Sequence, residues 1–154
     1  MPFDPVDVVH RLGGTARTGD VLGVCTRGSL ARALAEGRLL RPARGVLVLP
    51  HLPDANVAAA RVGGVLSHLS AAQRLGLSLV RVPDAVHVTV PHGARAPAHT
   101  GVRVHRSVVP VGEPHRLGCT SALRTVLDCA AALPFDEGLA VADSALERRL
   151  ITAA

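Results

Sequence analysis

The chain has 154 residues, 48% of them hydrophobic, and a formal net charge of +5. This length suits one domain or two small ones, and the positive charge admits an acidic partner such as nucleic acid. All 17 basic residues are arginine. The absence of lysine excludes a phosphate-binding GK[ST] loop, a Schiff-base lysine and a lysine-dependent nuclease core.

Aromatic side chains are nearly absent, with Phe3 and Phe135 and neither Tyr nor Trp. Proteins that bind single-stranded nucleic acid stack the bases on aromatic platforms, which this chain lacks. Duplex DNA is therefore the better nucleic-acid candidate.

Other features favour a reduced, cytoplasmic protein. The cysteines, Cys25, Cys119 and Cys129, are too scattered for a disulfide framework and are expected to be small core residues. The start, MPFDPVDVV, lacks the order of a secretory signal, and no apolar run reaches the ~18 residues of a membrane span.

The first 25 residues predict two short helices. Asp4 is a suitable cap for a helix with Pro5 at its first position, and Gly13–Gly14 ends that helix. Residues 15–22 then predict a second short helix, interrupted by Gly19.

A third helix and a hairpin follow. Thr26 caps a helix over residues 27–36, whose apolar positions recur at helical spacing at Leu30, Ala33 and Leu34. Gly37 ends this helix in the left-handed position. Residues 39–41 and 45–49 predict two strands joined by a tight turn.

Helix, helix, turn, helix and hairpin is the order of a winged helix-turn-helix, which we predict for residues 1–50. In such folds the third helix enters the major groove and the hairpin reaches the backbone or minor groove. The candidate DNA-binding residues lie on this helix and hairpin: Arg27, Ser29, Arg32, Arg38, Arg41 and Arg44. The alternative is that these arginines form an ordinary solvated face.

Residues 51–54 are a Pro-containing linker, and residues 54–154 predict a second, small α+β domain. Helices are expected over residues 55–62, 67–75, 120–133 and 136–149, and alternating strands over 86–90 and 102–106. The outward strand faces are predicted to carry His87, Thr89, Arg103 and His105. The apolar faces of the last two helices are predicted at Leu123, Val126, Leu127 and Ala130 and at Leu139, Ala142, Leu146 and Leu150.

No catalytic or metal site is assembled in the sequence. The nearest histidine cluster, His92, His99 and His105, has neither of the spacings typical of zinc ligands. Ser67 is interpreted as a helix cap and His68 as a partly buried anchor, since neighbours on a helix point about 100° apart and are not expected to hydrogen-bond. Neither a cofactor nor an enzymatic activity is expected.

Arg124 and Asp128, at positions i and i+4, are predicted to pair along a helix. Asp143 of the following helix is the suggested third member. We interpret this group as structural.

The order and spacing of several segments resemble the AbiEi-type antitoxins of type IV toxin–antitoxin systems, in their actinobacterial branch. The segments are LARALAEGRLLRPARGVLVLP, GGVLSHLSAAQRLGL, VHVTVP, GVRVHRS, TSALRTVLDCA and VADSAL. The resemblance covers roughly residues 10–150.

The resemblance implies a repressor that binds the double-stranded DNA of its own promoter, with a nucleotidyltransferase-like toxin as partner. We expect it to bind DNA either as a homodimer or in several copies. Carried over by position, the second-domain motifs contain Ser67, His68, Ser70, Arg124, Thr125 and Asp128. Two departures stand out. Leu47 replaces the tyrosine usual in the hairpin of relatives, and the chain ends where many relatives continue into an endonuclease-like domain.

A DNA-binding autorepressor with antitoxin character is the leading hypothesis from the sequence. One alternative is a protein-interaction module that binds the toxin without binding DNA. Another is the remnant N-terminal part of an endonuclease-like protein.

Overall fold

The computed structural model describes residues 3–108 and 118–153, and within them the chain has an α+β fold with two three-stranded sheets. The N-terminal elements are α1 (Pro5–Arg11), β1 (Thr15–Arg17), α2 (Thr18–Leu22), α3 (Arg27–Ala35), β2 (Leu40–Ala43) and β3 (Val46–Val48). They are followed by α4 (Asp54–Arg61), β4 (Val65–Leu66), α5 (His68–Arg74), β5 (Val86–Val90), β6 (Val102–Arg106), α6 (Ala122–Ala132) and α7 (Phe135–Glu147).

Side-chain caps begin three helices, two of them at the predicted residue. Asp4 Oδ1 accepts from the backbone N–H of Val6 at 2.7 Å, and Thr26 Oγ1 accepts from that of Ser29 at 3.1 Å. At α6 the cap is Ser121, one residue after the predicted one, and its Oγ accepts from the Arg124 backbone N–H. Each such bond satisfies a donor that the first helical turn leaves free.

The prediction of one helix over residues 15–22 was wrong in its first half. Residues 15–17 form β1, which pairs antiparallel with β3, Thr15 opposite Val48 and Arg17 opposite Val46. Gly13 and Gly14, both at positive φ, turn the chain out of α1 and into this strand. The pairing partner lies some 30 residues downstream, so local helical propensity could not indicate it.

The first sheet has the order β1-β3-β2 and covers one face of a small apolar core. The buried residues of this core all come from the N-terminal part of the chain: Val9, Val21, Cys25, Leu30, Ala33, Leu39 and Leu47. The predicted hairpin is therefore present as β2 and β3, with Gly45 at φ +77° in its turn.

The second sheet has the order β4-β5-β6, in which β4 and β5 are antiparallel and β5 and β6 are parallel. The parallel register places Val86 opposite Val102 and Thr89 opposite His105. The two-residue strand β4 was not predicted. This part of the chain contains a second and a third apolar core, whose members lie between residues 55 and 151.

The prediction that His87 and Thr89 lie on an outward strand face was wrong, since their exposed fractions are 5% and 2%. Helix α5 packs against β5 and covers this face. Alternation along a strand indicates which residues share a face, but a polar face that is covered by a helix becomes an interior one.

The apolar faces predicted for α6 and α7 were also partly wrong. Leu123 and Leu127 are more than half exposed, while α6 buries Thr125, Val126 and Cys129. Helix α7 buries Gly138, Val141, Ser144 and Ala145, and leaves Leu139 and Leu146 exposed. Leu150, which lies beyond the end of α7, is also exposed. Small side chains let the two helices approach closely: a Cβ added at Gly138 would lie 3.2 Å from the Cα of Ala130.

All three cysteines are buried and free, as predicted. Across the described part of the chain, no helix combines the length and the apolar character needed to cross a membrane.

Candidate functional site

The predicted DNA-binding residues of α3 lie on its exposed side. Leu30 and Ala33 are buried in the first core, whereas Arg27 and Arg32 are exposed. The helix thus presents two guanidinium groups to solvent and an apolar stripe to the protein interior.

The hairpin adds two further exposed arginines. Arg41 lies in β2 and Arg44 in the turn before β3, and both are exposed. Leu47, at the position where the resemblance led us to expect a tyrosine, is fully buried in the first core. Leu47 therefore contributes to the apolar packing beneath the hairpin.

Two other predicted DNA-binding residues have local structural contacts. Arg38 Nη1 lies 3.1 Å from Asp4 Oδ2, and its Nε lies 2.9 Å from Glu36 Oε2. Ser29 Oγ donates to the carbonyl oxygen of Thr26 at 2.9 Å within the cap of α3. Arg38 links α1 to the end of α3, and Ser29 helps to begin that helix.

A groove of about 760 Å³ runs between the first sheet and the second. Its walls include the guanidinium-bearing residues Arg17, Arg44, Arg61 and Arg95 together with Asp20. The groove extends the basic surface of the hairpin towards the second part of the chain.

A second constellation is formed by three histidines from three elements: His68 begins α5, His87 lies in β5 and His105 in β6. Nδ1 of His87 lies 3.0 Å from Nε2 of His105, and the rings of His68 and His105 are stacked with centroids 3.7 Å apart. One ring nitrogen from each histidine lies within 4.8 Å of the others. Of the trio considered in the sequence, only His105 belongs to this cluster.

Two serines form hydrogen bonds that connect α5 to β5 beside these rings. Ser70 Oγ accepts from the backbone N–H of His87 at 2.8 Å, and the backbone N–H of Ser67 donates to the His87 carbonyl at 3.0 Å. His87 is therefore held at both of its backbone groups. Ser70 is buried, which removes competing water from these contacts.

Ser67 and His68 do form a hydrogen bond, contrary to the sequence-based expectation. Ser67 Oγ lies 2.9 Å from Nδ1 of His68, and the Ser67 side chain makes no cap bond to α5. The expectation assumed two helical residues, but Ser67 is extended and His68 has a positive φ of 50°. This rare backbone conformation turns the two side chains towards each other.

Arg124 connects α6 to the end of β6. Its Nε donates to Asp128 Oδ1 at 2.7 Å, which confirms the predicted pair. Its other donors reach Ser107 Oγ at 2.7 Å and the carbonyl oxygen of Val108 at 3.2 Å. These contacts replace the suggested contact with Asp143, which is exposed on α7.

The cluster has a charged neighbour and two buried polar atoms whose hydrogen-bonding capacity is unused. Asp128 lies close enough to oppose the lowering of the pKa of His68 and of His105. Among the residues that the structure describes, Asp128 Oδ2 and His87 Nε2 are buried without a hydrogen-bond partner. Buried groups of this kind ordinarily bind a protein group, a water or an ion.

Burial keeps all three imidazoles neutral. It lowers the pKa of His68 to about 4, and the neighbouring His105 contributes to this effect. Burial likewise lowers the pKa of His87 and of His105, with further contributions from His105 and Arg103 respectively. At neutral pH each ring therefore keeps one nitrogen lone pair.

Thr125, also in a second-domain motif, has a structural position. It is fully buried, and its Oγ1 lies 2.8 Å from that of Thr120. The sequence reasoning did not include His87 or Ser107 in any candidate site, and it grouped His105 with His92 and His99 instead of with His68 and His87. The alternation of β5 and β6 pointed to one shared face for His87 and His105, but only the parallel register and the cover of α5 bring them together.

Comparison with known proteins does not show a family for this chain. No family model matches the sequence, and no curated protein does. Among solved structures, the crystal structure of RV2827C protein from Mycobacterium tuberculosis matches with a TM-score of 0.35 and 23% identity, over 70% of this chain and 45% of that one. The chain thus spans less than half of that protein's length.

Proposed function

We propose that the protein is a DNA-binding transcriptional regulator whose residues 1–50 act as a winged helix-turn-helix. The observation that carries this proposal is the pair of exposed basic elements, α3 and the β2–β3 hairpin. Their four arginines, Arg27, Arg32, Arg41 and Arg44, are exposed and form no ion pair with any described residue.

Unpaired arginines on a rigid framework suit a phosphate backbone. A guanidinium binds phosphate oxygens bidentately and keeps its charge at all physiological pH values. The buried stripe of α3 fixes which side of the helix faces outward, and the core beneath the hairpin fixes Arg41 and Arg44 relative to it. These features support duplex DNA as the partner, with α3 as the helix that reads the major groove.

The arginines that line the groove extend this proposed interface. Arg17 ends β1, and Arg61 and Arg95 lie across the groove from it. Contacts from these residues would bind the backbone beyond the bases that α3 reads, which adds affinity without sequence information. Together with the antitoxin resemblance, this favours repression of the protein's own promoter.

The test is a titration of the purified chain against duplex DNA from its own upstream region and against a scrambled duplex, at two salt concentrations. The proposal expects upstream binding that persists at the higher salt, whereas scrambled binding falls away. Arg32→Ala should weaken upstream binding, and Arg103→Ala, which removes an exposed arginine of β6, is the control of equal charge. Equal binding to both duplexes would contradict a regulator.

A second candidate function is a protein-interaction module. The exposed apolar residues of α6 and α7 support it. Leu123, Leu127 and Phe135 have exposed fractions of 58%, 57% and 85%. Exposed apolar residues on neighbouring helices often mark protein contacts. Co-purification with a nucleotidyltransferase-like product of the adjacent gene, lost in Leu127→Ser and without any DNA binding, would favour this function.

A further inference from the structure

We propose that His68, His87 and His105 form a binding site for a divalent transition-metal ion of the zinc class. Three nitrogens from three different elements lie within 4.8 Å of one another. In a tetrahedral zinc site with Zn–N bonds of 2.0–2.1 Å, ligand nitrogens are separated by about 3.3 Å. His87 Nδ1 and His105 Nε2, 3.0 Å apart, already have nearly this separation.

The contacts around the third ring fit a ligand role. Ser67 Oγ binds Nδ1 of His68, which leaves Nε2 of that ring to bind the ion. A hydrogen bond to the second nitrogen is the usual way in which proteins fix the tautomer and the orientation of a metal-binding histidine. Ser67 is completely buried, so this hydrogen bond is shielded from water.

The second ring is held just as firmly. Both backbone groups of His87 are bound, by Ser70 Oγ and by the backbone N–H of Ser67. A ligand on a fixed backbone loses little conformational freedom when the ion binds. The rings of His68 and His105 are stacked, and because the nitrogen lone pair of an imidazole lies in the ring plane, the His68 ring has to turn out of this stack to bind the ion.

Asp128 supplies a negative charge beside the cluster. Its Oδ1 is bound by Arg124, and its buried Oδ2 has no hydrogen-bond partner among the described residues. Three neutral imidazoles and a carboxylate are the ligand types that zinc and its neighbours in the first transition row prefer.

The ion would join the start of α5 to β5 and β6. An ion that binds only the folded state stabilises that state in proportion to the logarithm of its concentration over the dissociation constant. None of the three ligands is among the residues proposed to bind DNA, although Arg61 and Arg95 of the groove belong to the same part of the chain. Loss of metal binding and loss of DNA binding are therefore separate outcomes.

The experiment uses the full chain without an affinity tag, freed of metal with a chelator and then titrated with ZnCl2 by calorimetry. We expect one equivalent to bind, and the affinity of His105→Gln to be at least about 10-fold weaker, as for disruption of a metal's ligand environment. His92→Gln changes an exposed loop histidine outside the cluster and should bind as the wild type does. No binding to the wild type, or unchanged binding to His105→Gln, would overturn the proposal.

Two further measurements separate a folding defect and a cysteine site from the proposed one. His68→Asn removes the ring but suits the positive φ of this position, so a folded variant that loses binding supports the site even if His105→Gln is unstable. Co2+ alone reports the ligand type, because thiolate ligands add a charge-transfer band in the near ultraviolet. A spectrum without that band is expected, and a thiolate band would overturn the assignment.

Discussion

Nδ1 of His87 and Nε2 of His105 are 3.0 Å apart although the residues are 18 positions apart in the chain. The parallel pairing of β5 with β6 places His105 opposite Thr89, so His87 and His105 are diagonal neighbours on one face of the sheet. Two neutral rings in this arrangement share one proton, with one nitrogen donating and the other accepting. Whichever nitrogen donates, Nε2 of His87 remains a buried polar atom with no partner in the described chain.

The first prediction concerns the pH dependence of stability in the metal-free protein. The folded-state pKa of His68 is about 4, below its ordinary value of 6.5, and the pKa values of His87 and His105 are lowered too. The unfolded chain therefore binds more protons than the folded one between these values. The stability that these neutral histidines contribute is fully present above pH 6.5, and it is lost as the pH falls from 6.5 towards 4.

Thermal unfolding at pH 7.5, 6.0 and 5.0 measures this effect. Charged neighbours modify it: Asp128 opposes the lowered pKa of His68, whereas Arg124 adds to it. His68→Asn should show a smaller loss of melting temperature between pH 7.5 and 5.0 than the wild type. An identical loss in both proteins would show that His68 does not titrate in this way.

The second prediction concerns the bond between α5 and β5. Ser70→Ala removes the hydroxyl that accepts from the buried backbone N–H of His87. An unsatisfied buried donor costs about 1–3 kcal/mol, and chemical denaturation should show a loss in this range. Ser78→Ala, at an exposed position, is the control and should change stability by less than about 0.5 kcal/mol. Equal stability of the two variants would contradict the described contact.

The third prediction concerns the close approach of Gly64 to β5. A Cβ at this position would lie 2.4 Å from the carbonyl oxygen of Thr89 and 2.6 Å from Cγ1 of Val88. Gly64→Ala should therefore destabilise the fold by about 1–3 kcal/mol, as overpacking does. Gly93→Ala adds the same methyl group where no atom lies within 4 Å, and its stability should be close to that of the wild type. A neutral Gly64→Ala variant would show that β4 and β5 separate easily.

The fourth prediction separates the structural residues of α3 from its proposed binding residues. Thr26→Ala removes the cap and should cost about 1 kcal/mol of stability, whereas Thr26→Asp should retain most of it. Arg32→Ala, on the exposed side, should change the free energy of unfolding by less than about 0.5 kcal/mol. If Arg32→Ala unfolds the chain, this arginine supports the fold and the face assigned to it is wrong.

The sequence was informative where structure is local. The caps at Asp4 and Thr26 and the Arg124–Asp128 pair depend on contacts within a few residues, and all were predicted. Two short strands that depend on distant partners, β1 and β4, were missed. Strand β1 exists because β3 pairs with it, and local helical propensity in residues 15–17 gave the opposite indication.

The histidine cluster shows the same limit at the level of a site. His68 was singled out as a partly buried anchor, yet His87 and His105 were assigned to outward strand faces. The error came from the assumption that a polar strand face is an exposed one. Helix α5 covers that face, and spacing along the chain carries no information on which sheet face a helix will cover.

The most direct test of the DNA-binding proposal is the salt dependence of binding to the upstream duplex. The logarithm of the binding constant falls with the logarithm of salt concentration with a slope of about −0.9 for each phosphate neutralised. We expect the slope to be shallower by about 0.9 for each phosphate that Arg32→Ala or Arg44→Ala no longer neutralises, and to change little in Arg103→Ala. Slopes that are the same in all four proteins would contradict the assignment of α3 and the hairpin as the DNA-binding surface.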